Sequence, residues 1–439
     1  MYGSVPVVTK RIEDYRAIVG DEKVEEILGL ASFLEGARVL HVNSTAFGGG
    51  VAEILGTLVP LMRDVGLKAD WQVIRGADEF FNVTKVMHNA LQSMDLDWTE
   101  ERQEVWMRYN KMNADLFDED YDFVVIHDPQ PAGMLSILSG RNGWRKHGKW
   151  IWRCHIDITN AQPAVWDFLR PHVEAYDAGI FTLPEYVKED LKGIKVAVIP
   201  PAIDPLSPKN MDIPWETVET IVRRYGVSLD RPIICQVSRF DPWKDPLGVI
   251  DAYRKVKAEV PDVQLVMIAS MAADDPEGWS YYERTARRAG EDSDIYLLSN
   301  LQGVGNLEVN AFQRAATVVV QKSVREGFGL VVAEGLWKGK PVVAGNVGGI
   351  PLQVIPERTG YLVDSVEECA EWILFLLQRP DIAEAVGREG REHVREHFLV
   401  TRNLRDYLTL FLDLQNGDRR PLRSPAAARE VRSLAGSRR

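Results

Sequence analysis

Short apolar runs alternate with longer amphipathic segments along most of the chain, and this alternation constrains the fold more than any other feature of the sequence. Continuous apolar runs are typical of parallel strands buried on both faces, and parallel strands need a crossover between them, usually a helix. The sequence therefore predicts an α/β fold built from doubly wound sheets. The expected strands are Ala37–Val42, Ala69–Ile74, Phe123–Ile126, Lys149–Arg153, Ala178–Thr182, Val196–Ile199, Pro232–Val237, Val263–Ile268, Ile295–Leu298, Thr317–Gln321, Pro341–Ala344 and Gly360–Val363, with helices such as Val51–Val65 and Pro246–Lys257 between them.

A proline-rich segment divides this alternation into two series. Four of the nine residues 200–208 are proline, which disfavours both helices and central strands. We therefore expect two Rossmann-like domains over residues 1–205 and 206–395, with a helix at 396–414 that returns to the first domain. A cleft between two such sheets is a natural ligand site, because ligands bind outside the carboxyl ends of parallel strands.

Charge and cysteine content exclude several classes of protein. The net charge of −12 argues against a nucleic-acid partner over most of the surface. No apolar run reaches the roughly 18 residues of a membrane-spanning helix, and the N-terminus lacks the order of a signal peptide, so a cytoplasmic protein is expected. Cys154, Cys235 and Cys369 are odd in number and far apart, which predicts buried free thiols and argues against a disulfide.

The last segment, residues 418–439, has a different composition, with seven arginines against two acidic residues. It could be a basic arm that binds a partner. A disordered tail, or a segment derived from an expression vector, is the favoured interpretation.

A glycine-rich loop, Phe47-Gly48-Gly49-Gly50, follows the first expected strand. Glycines permit positive φ and close approach of the backbone to a ligand, and the N-terminus of the following helix attracts anions. A tight turn without a ligand explains these residues about equally well. The spacing is not G-x-G-x-x-G, so a dinucleotide site is not indicated.

Two cations lie on one loop after the strand expected at Pro232–Val237. Arg239 and Lys244 are five residues apart at the carboxyl end of that strand. Arginine can bind a phosphate through two parallel hydrogen bonds, and lysine adds a compact charge, so the pair could neutralise a departing diphosphate without metal. A solvated loop, in which Asp241 and Asp245 pair with these cations, is at least as good an explanation from these residues alone.

Two glutamates eight residues apart, Glu326 and Glu334, flank a helix expected to start near Leu330. Gly327 and Gly329 leave backbone N–H groups accessible at the positive end of this helix. A sugar diphosphate bound there would place one carboxylate near the sugar and the other near a ribose. The alternative for Glu334 is a helix charge that only interacts with the dipole.

Together these loops resemble the retaining GT-B glycosyltransferases, a family that includes sucrose synthases, bacterial glycogen synthases and trehalose-forming enzymes. The Ser-Arg-Phe…Lys loop and the E-x7-E element match the family pattern, as do Gly345–Pro351 and Thr359–Val363. Within the family, Val42–Gly50, Trp71–Leu91 and Arg153–Asp157 are similar to the trehalose synthase subfamily, which transfers glucose from a nucleotide-glucose to free glucose.

The resemblance spans about residues 37–412 and implies a GT-B fold, with the acceptor bound by the first domain and the nucleotide sugar by the second. It implies that Arg239 and Lys244 bind the diphosphate, that Glu326 acts at the donor sugar and that Glu334 binds the ribose. It further implies donor contacts from Gly49, Gly50, Gly327, Phe328, Gly329 and Leu330, a catalytic place for His155 beside the reacting sugar, and acceptor binding by Asp128.

Two of these assignments have simple structural alternatives. Without the resemblance, His155 would be interpreted as a packed histidine after a strand, and Asp128, which precedes a proline, as the cap of a turn. One position departs from the family pattern: many relatives have glutamate where this chain has Gln353, and we assign it no role.

No metal cofactor is expected, although Mg²⁺ could stimulate activity by binding free nucleotides. Asp118-Glu119-Asp120 has the D-x-D form but precedes a strand, so a solvated acidic turn is the better interpretation. The pairs His127 with Asp128 and His155 with Asp157 lack further ligands at convincing spacing.

The expected activity is retaining, reversible transfer of glucose from ADP-, UDP- or GDP-glucose to free glucose, which gives α,α-trehalose. The expected partners are these two substrates, with no nucleic acid or membrane, and a homodimer is expected from symmetry alone. Two alternatives remain: a trehalose phosphorylase, which would bind inorganic phosphate at the basic loop, and a non-catalytic sugar-binding regulator.

Overall fold

The computed structural model describes residues 3–117, 119–271 and 276–417, which form two compact units. Of these residues, those between 3 and 202 and between 400 and 417 belong to the first unit, and those between 203 and 399 belong to the second. The divisions expected after residues 205 and 395 lie near these boundaries. The tail at 418–439 lies outside the described residues, and the ligand expected for each domain stays a prediction.

The first unit is built on a seven-stranded sheet with the order β1-β3-β2-β4-β5-β6-β7, in which β1 alone pairs antiparallel. Its strands are β1 Gly3–Ser4, β2 Arg38–Asn43, β3 Lys68–Val73, β4 Phe123–His127, β5 Lys149–Arg153, β6 Ala178–Phe181 and β7 Lys195–Val198. Its helices before the linker are α1 Arg16–Val19, α2 Asp21–Ser32, α3 Gly50–Asp64, α4 Asp78–Leu91, α5 Glu100–Asp115, α6 Met134–Ser139 and α7 Pro163–Val173.

The second unit is built on a six-stranded parallel sheet with the order β10-β9-β8-β11-β12-β13. Its strands are β8 Ile233–Val237, β9 Gln264–Ala269, β10 Ile295–Ser299, β11 Val318–Gln321, β12 Val342–Gly345 and β13 Tyr361–Val363. Its helices are α8 Trp215–Arg224, α9 Pro246–Glu259, α10 Pro276–Ala289, α11 Asn306–Ala315, α12 Leu330–Trp337, α13 Ile350–Gln353, α14 Val366–Gln378 and α15 Pro380–His397.

The central strands are buried on both faces, as continuous apolar runs require. Every residue of β4, β8 and β9 is buried. The doubly wound α/β fold is confirmed, and each strand expected from the sequence is present with ends within one residue of the prediction. The exception is β1, which was not expected: its two residues pair with β3 and are too few to leave a pattern.

The last described helix, α16 (Val400–Gln415), belongs to the first unit. Its apolar face packs on the sheet, where the ring of Phe411 stacks on Phe123 with centroids 4.3 Å apart and Tyr407 meets His41 edge-on at 5.9 Å. The three cysteines are buried and free, as expected. Among the described residues, no helix combines the length and apolar character needed to span a membrane.

Two helical glycines test how tightly these layers are packed. A Cβ on Gly387, inside α15, would lie 2.1 Å from the carbonyl oxygen of Gly339, so Gly387→Ala should cost about 1–3 kcal/mol of unfolding free energy. At Gly29, inside α2, no atom of the described residues outside the local helix backbone lies within 4 Å of a Cβ, so Gly29→Ala should stabilise by about 0.5–1 kcal/mol. Urea unfolding of both variants measures the change in unfolding free energy, which should be a loss for Gly387→Ala and a gain for Gly29→Ala. Equal changes in the two variants would contradict the packing described.

Candidate active site

Lys244 lies on the loop that leaves β8, and its backbone is held on both sides. The carboxylate of Asp241 accepts a hydrogen bond from Lys244 N at 3.0 Å and begins a short 3₁₀ turn, Pro242–Lys244. Asp245 has a left-handed backbone (φ 45°), and its Oδ1 accepts from Gly248 N at 3.0 Å, which caps α9. These turns fix the point from which the lysine side chain leaves the loop.

A second loop, residues 322–329, leaves the adjacent strand β11 and is tied to the first loop. Val324 N donates to the carbonyl of Trp243 at 2.8 Å, and Lys322 Nζ pairs with Asp245. The loop ends at Gly329, whose positive φ of 83° favours glycine and which directly precedes α12. The first backbone N–H groups of α12 therefore open at this edge of the sheet, where a helix N-terminus favours anions.

The side chains of Lys244 and Glu326 meet between the two loops. Lys244 Nζ lies 2.6 Å from Glu326 Oε2, and Ser323 Oγ donates to the same carboxylate at 3.3 Å. The two charged side chains are only 15% and 12% exposed. A charge pair this deeply placed stays favourable only while both partners are present, so each charge holds the other at the edge of the site.

Glu334 is fully buried in α12, at the fifth residue of the helix. Lys209, which directly follows the proline-rich segment, has its Nζ 2.8 Å from Glu334 Oε1. Neither Glu334 oxygen accepts a hydrogen bond of good geometry from the described part of the chain. Glu334 is therefore not a surface charge at the helix end, and its carboxylate keeps acceptor capacity that ligand hydroxyls could fill.

Arg239 does not join this pair. Its side chain is 66% exposed, and its Nη2 lies 3.1 Å from Asp241 Oδ2. From the sequence, the alternative was that Asp241 and Asp245 pair with the two cations of the basic loop. This alternative describes Arg239, which pairs with Asp241. It does not describe Lys244, because Asp245 pairs with Lys322.

Gln353 has a structural role that the sequence did not reveal. Its Nε2 donates to the carbonyl of Phe328 at 2.5 Å, and its side chain is fully buried. Gly349 also packs closely on this loop, because a Cβ there would lie 2.8 Å from Gly327 O. Both contacts hold the turn that precedes α12 in place.

In the first unit, the glycine-rich loop lies between β2 and α3. Gly48 and Gly49 have φ values of 71° and 96°, Gly49 caps α3, and Gly50 is its first residue. Apart from chain neighbours, no atom of the described residues lies within 4 Å of a Cβ placed on Gly48 or Gly49, and Phe47 is 84% exposed. The glycines are therefore required by backbone conformation, and the loop leaves space at the N-terminus of α3.

Asp128 and His155 lie together at the carboxyl ends of β4 and β5. Asp128 has a left-handed backbone (φ 64°), and its Oδ1 accepts from His155 N at 2.8 Å. Burial raises the pKa of Asp128 to about 6, while the hydrogen bond from His155 and the charge of Arg153 act in the opposite direction. Asp128 therefore joins two strand ends, a stronger tie than the turn cap considered from the sequence.

His155 is part of a row of three histidines that sequence reasoning did not connect. Its Nε2 lies 2.9 Å from His127 Nδ1, and His127 Nε2 lies 3.0 Å from His41 Nδ1. Burial lowers the pKa of His41 to about 3, and burial together with nearby charge lowers the pKa values of His127 and His155. His155 is thus packed, as the simpler interpretation held, but its packing partners are imidazoles.

Among the described residues, no group of three or more His, Cys, Asp or Glu side chains is arranged to hold a metal ion. Asp118 lies outside the described residues, so the Asp118-Glu119-Asp120 turn is described only in part. The requirement for metal stays a prediction.

Comparisons with known proteins give two family matches. The family model for the N-terminal domain of trehalose synthase matches residues 41–188, and the model for group 1 glycosyl transferases matches residues 217–393.

Individual proteins agree with these matches. The chain is 52% identical over 403 residues to a trehalose synthase from Thermococcus litoralis, covering 91% of this chain and 96% of that protein. It is 28% identical over 420 residues to a trehalose phosphorylase from Pleurotus sajor-caju, covering 82% of this chain and 55% of that protein. A UDP-forming trehalose-phosphate synthase structure from Burkholderia xenovorans superposes with a TM-score of 0.69 at 17% identity, covering 87% and 99% of the chains, and shows the fold alone.

The buried imidazoles make stability depend on pH with a definite sign. The pKa of the His41 imidazole is about 3 in the folded chain and about 6.5 when unfolded. The unfolded chain therefore takes up a proton at this residue as the pH falls below about 6.5, and the folded chain loses unfolding free energy. Between pH 7.5 and 5.5, wild type should lose about 1.4 kcal/mol more unfolding free energy than His41→Leu. Urea titrations at both pH values measure this difference. If wild type and His41→Leu lose the same unfolding free energy over this pH range, the pKa of His41 is not lowered by folding.

Proposed function

Because the chain belongs to the trehalose synthase family and is a glycosyltransferase of the GT-B fold, we propose that it makes α,α-trehalose from a nucleotide-glucose and free glucose. The observation that carries the proposal is the Lys244–Glu326 pair at the start of α12, with Glu334 buried in the same helix. The site combines a cation, a helix N-terminus and a buried carboxylate. This combination suits a ligand with a central diphosphate and one sugar at each end of it.

In this proposal the diphosphate binds Lys244 and the N-terminus of α12. Lys244 is held in place by the turns around it, so it needs little reorganisation when charge develops on the leaving diphosphate. Arg239 is exposed and able to reorient, and we assign it to the same diphosphate. These groups would replace the divalent metal that other nucleotide-sugar sites use.

The two glutamates would bind opposite ends of the donor. Glu326 would contact hydroxyls of the glucosyl group, supported by backbone contacts from Gly327, Phe328, Gly329 and Leu330. Glu334 would bind the ribose hydroxyls, since its buried oxygens accept no hydrogen bond of good geometry from the described residues and Lys209 holds its charge.

The first unit would supply the acceptor side. Gly49 and Gly50 would contact the donor phosphate and sugar, His155 would lie beside the reacting glucosyl group, and Asp128 would bind a hydroxyl of the acceptor glucose. A carboxylate with a pKa near 6 is largely ionised at pH 7.5 and accepts hydrogen bonds from sugar hydroxyls.

Retention follows from attack on the face that the diphosphate leaves. The bond from the anomeric carbon to the diphosphate oxygen breaks, the bond to the acceptor oxygen forms on the same face, and the acceptor proton passes to a diphosphate oxygen. No carboxylate is assigned as a nucleophile. The reaction exchanges a glycosyl phosphate bond for a glycosidic bond without consuming water or an oxidant, and we propose that it is reversible.

A trehalose phosphorylase is the second candidate, favoured by the 28% identical relative. Phosphate alone would leave the Glu334–Lys209 pair without a ligand role, which is why a nucleotide is preferred.

Product analysis separates the two activities. The protein is incubated with glucose and ADP-, UDP- or GDP-glucose, and separately with trehalose and either phosphate or a nucleoside diphosphate, and products are identified by NMR. The proposal expects α,α-trehalose from at least one donor and nucleotide-glucose in the reverse direction. Glucose 1-phosphate from trehalose and phosphate, with no turnover of any nucleotide-glucose, would replace the proposal by the phosphorylase.

Lys244→Ala and Arg239→Ala should each lower kcat by about 10²–10³, because a lost donor to a developing anion typically costs that much. The control is Lys255→Ala, since Lys255 is half-exposed in α9 and pairs with Glu367. Steady-state kinetics test the roles at a temperature where circular dichroism shows each variant to be folded, since removal of Lys244 leaves Glu326 without its partner and lowers stability. Near-normal kcat in both variants would remove the basic loop from the mechanism.

Glu326→Gln and Glu334→Gln should separate in their kinetics. Glu326 faces the reacting sugar, so its variant should have a collapsed kcat at saturating donor. Glu334 binds a remote part of the donor, and loss of a charged hydrogen bond of about 1.5–3 kcal/mol should raise donor KM about 10–150-fold. If Glu334→Gln leaves donor KM and nucleoside diphosphate affinity unchanged, its ribose role is wrong.

Glucosyl transfer should continue after removal of divalent metal. The basis is that Lys244 and the N-terminus of α12 lie at the same edge of the sheet and would both supply positive charge to the diphosphate. Dialysis against a chelator, followed by assay in chelator, should leave most of kcat, with mild stimulation by Mg²⁺ as an acceptable result. Complete loss that only a divalent ion restores would contradict this proposal.

A further inference from the structure

Three histidines form a diagonal row across the first sheet. In the parallel register, His41 of β2 lies opposite Val125 of β4, and His127 lies two residues further along β4. His127 lies opposite Arg153 of β5, and His155 lies two residues beyond it. Since side chains two residues apart share a face of a strand, each histidine reaches the next across the sheet.

All three rings are held in the neutral state by their surroundings. His41 and His127 are buried, and the guanidinium of the buried Arg153 lies near His127 and His155, where a second positive charge would be repelled. Desolvation and this charge lower the pKa values of the row. Each ring then carries one proton, on one of its two nitrogens.

Neutral rings allow two arrangements of protons along the row. If His127 carries its proton on Nδ1, it donates to His155 Nε2 and accepts from His41 Nδ1. If it carries its proton on Nε2, both hydrogen bonds reverse. The third proton then lies at one end of the row: on His155 Nδ1 in the first arrangement, or on His41 Nε2 in the second.

The two ends of the row differ in their surroundings, which selects the first arrangement. His41 Nε2 is buried and has no hydrogen-bond partner among the described residues, so a proton there would be a buried donor without an acceptor, a rare and costly state. At the other end, the Asp128 carboxylate accepts the backbone N–H of His155, while the charge of Arg153 acts against a positive end of the row. These two influences oppose each other, so the unpartnered buried His41 Nε2 decides between the arrangements. His155 is only partly buried.

We propose that His41, acting through His127, holds His155 in the tautomer with its proton on Nδ1, so that His155 presents an N–H donor to a hydroxyl oxygen of the bound sugar. The inference rests on the proposed function for the identity of the ligand, while the tautomer itself does not. His41 and His127 are positioning residues in this scheme. His155 is the member of the row that meets substrate.

The tautomer can be measured on the complete protein without substrate. Long-range ¹H–¹⁵N correlation of ¹⁵N-histidine-labelled protein distinguishes protonated from bare ring nitrogens, and single histidine variants assign the signals. The expected result is protonated Nδ1 and bare Nε2 for His155, His127 and His41. A protonated Nε2 on His155, or exchange between its tautomers, would overturn the proposal.

Kinetics test whether the row acts on catalysis. Asparagine at position 41 places an amide N–H near the position of histidine Nδ1, whereas leucine offers no donor. His41→Leu should release the His155 tautomer and lower kcat about tenfold or more, with donor KM changed less. The magnitude is taken from partners that orient metal-bound histidines, whose loss costs about 10–100-fold. His41→Asn should restore kcat to within about threefold and keep Nδ1 of His155 protonated.

The control variant removes a partly buried imidazole of the same unit that does not belong to the row. His172 bonds Ser136 Oγ at 2.6 Å, outside the row, and His172→Leu should change kcat by less than about twofold. An equal loss in His172→Leu, no rescue by His41→Asn, or a kcat loss in His41→Leu with an unchanged His155 tautomer would each overturn the proposal. Absence of any glucosyl transfer by wild type would instead reject the proposed function, and the spectrum would still decide the tautomer.

Discussion

The ion pair between Lys244 and Glu326 is the interaction on which the candidate site depends. Their strands, β8 and β11, are neighbours in a parallel sheet, so the two loops leave the same edge side by side. The 2.6 Å contact, the backbone bond from Val324 to Trp243 and the Lys322–Asp245 pair then join them. Because the charges are largely buried, an anion bound there would share Lys244 with Glu326. In the proposed function this sharing would couple diphosphate binding to the position of the carboxylate assigned to the sugar.

The first unit uses the same strand-end geometry with different chemistry. Asp128 and His155 follow neighbouring strands, and a hydrogen bond joins them as the ion pair joins the loops of the second unit. Here, however, the imidazoles are neutral and are held by one another. A surface of imidazoles and one carboxylate offers hydrogen bonds that suit sugar hydroxyl groups, whereas the lysine and the helix N-terminus of the second unit suit a diphosphate. This contrast supports the proposed division between acceptor and donor.

Features that depend on neighbouring residues in the chain could be predicted from the sequence, whereas contacts between distant segments could not. The strands follow from apolar runs, and Lys244, Glu326 and the α12 start follow from residues adjacent in the chain. Sequence spacing could not join Glu334 to Lys209 or His155 to His41, because these partners come from separate segments that only the folded sheet brings together. Gln353 was left without a role for the same reason, because its hydrogen bond to the carbonyl of Phe328 joins two segments that are 25 residues apart in the chain.

A double-mutant cycle on Lys244 and Glu326 tests the central claim most directly, that these residues act as one unit at the donor. Donor kcat/KM is measured for wild type, Lys244→Met, Glu326→Gln and the double variant. The account predicts that the double variant loses much less than the product of the single losses, a coupling of at least about 1 kcal/mol. Losses that multiply, with all four proteins folded, would show that the two residues act independently and would contradict it.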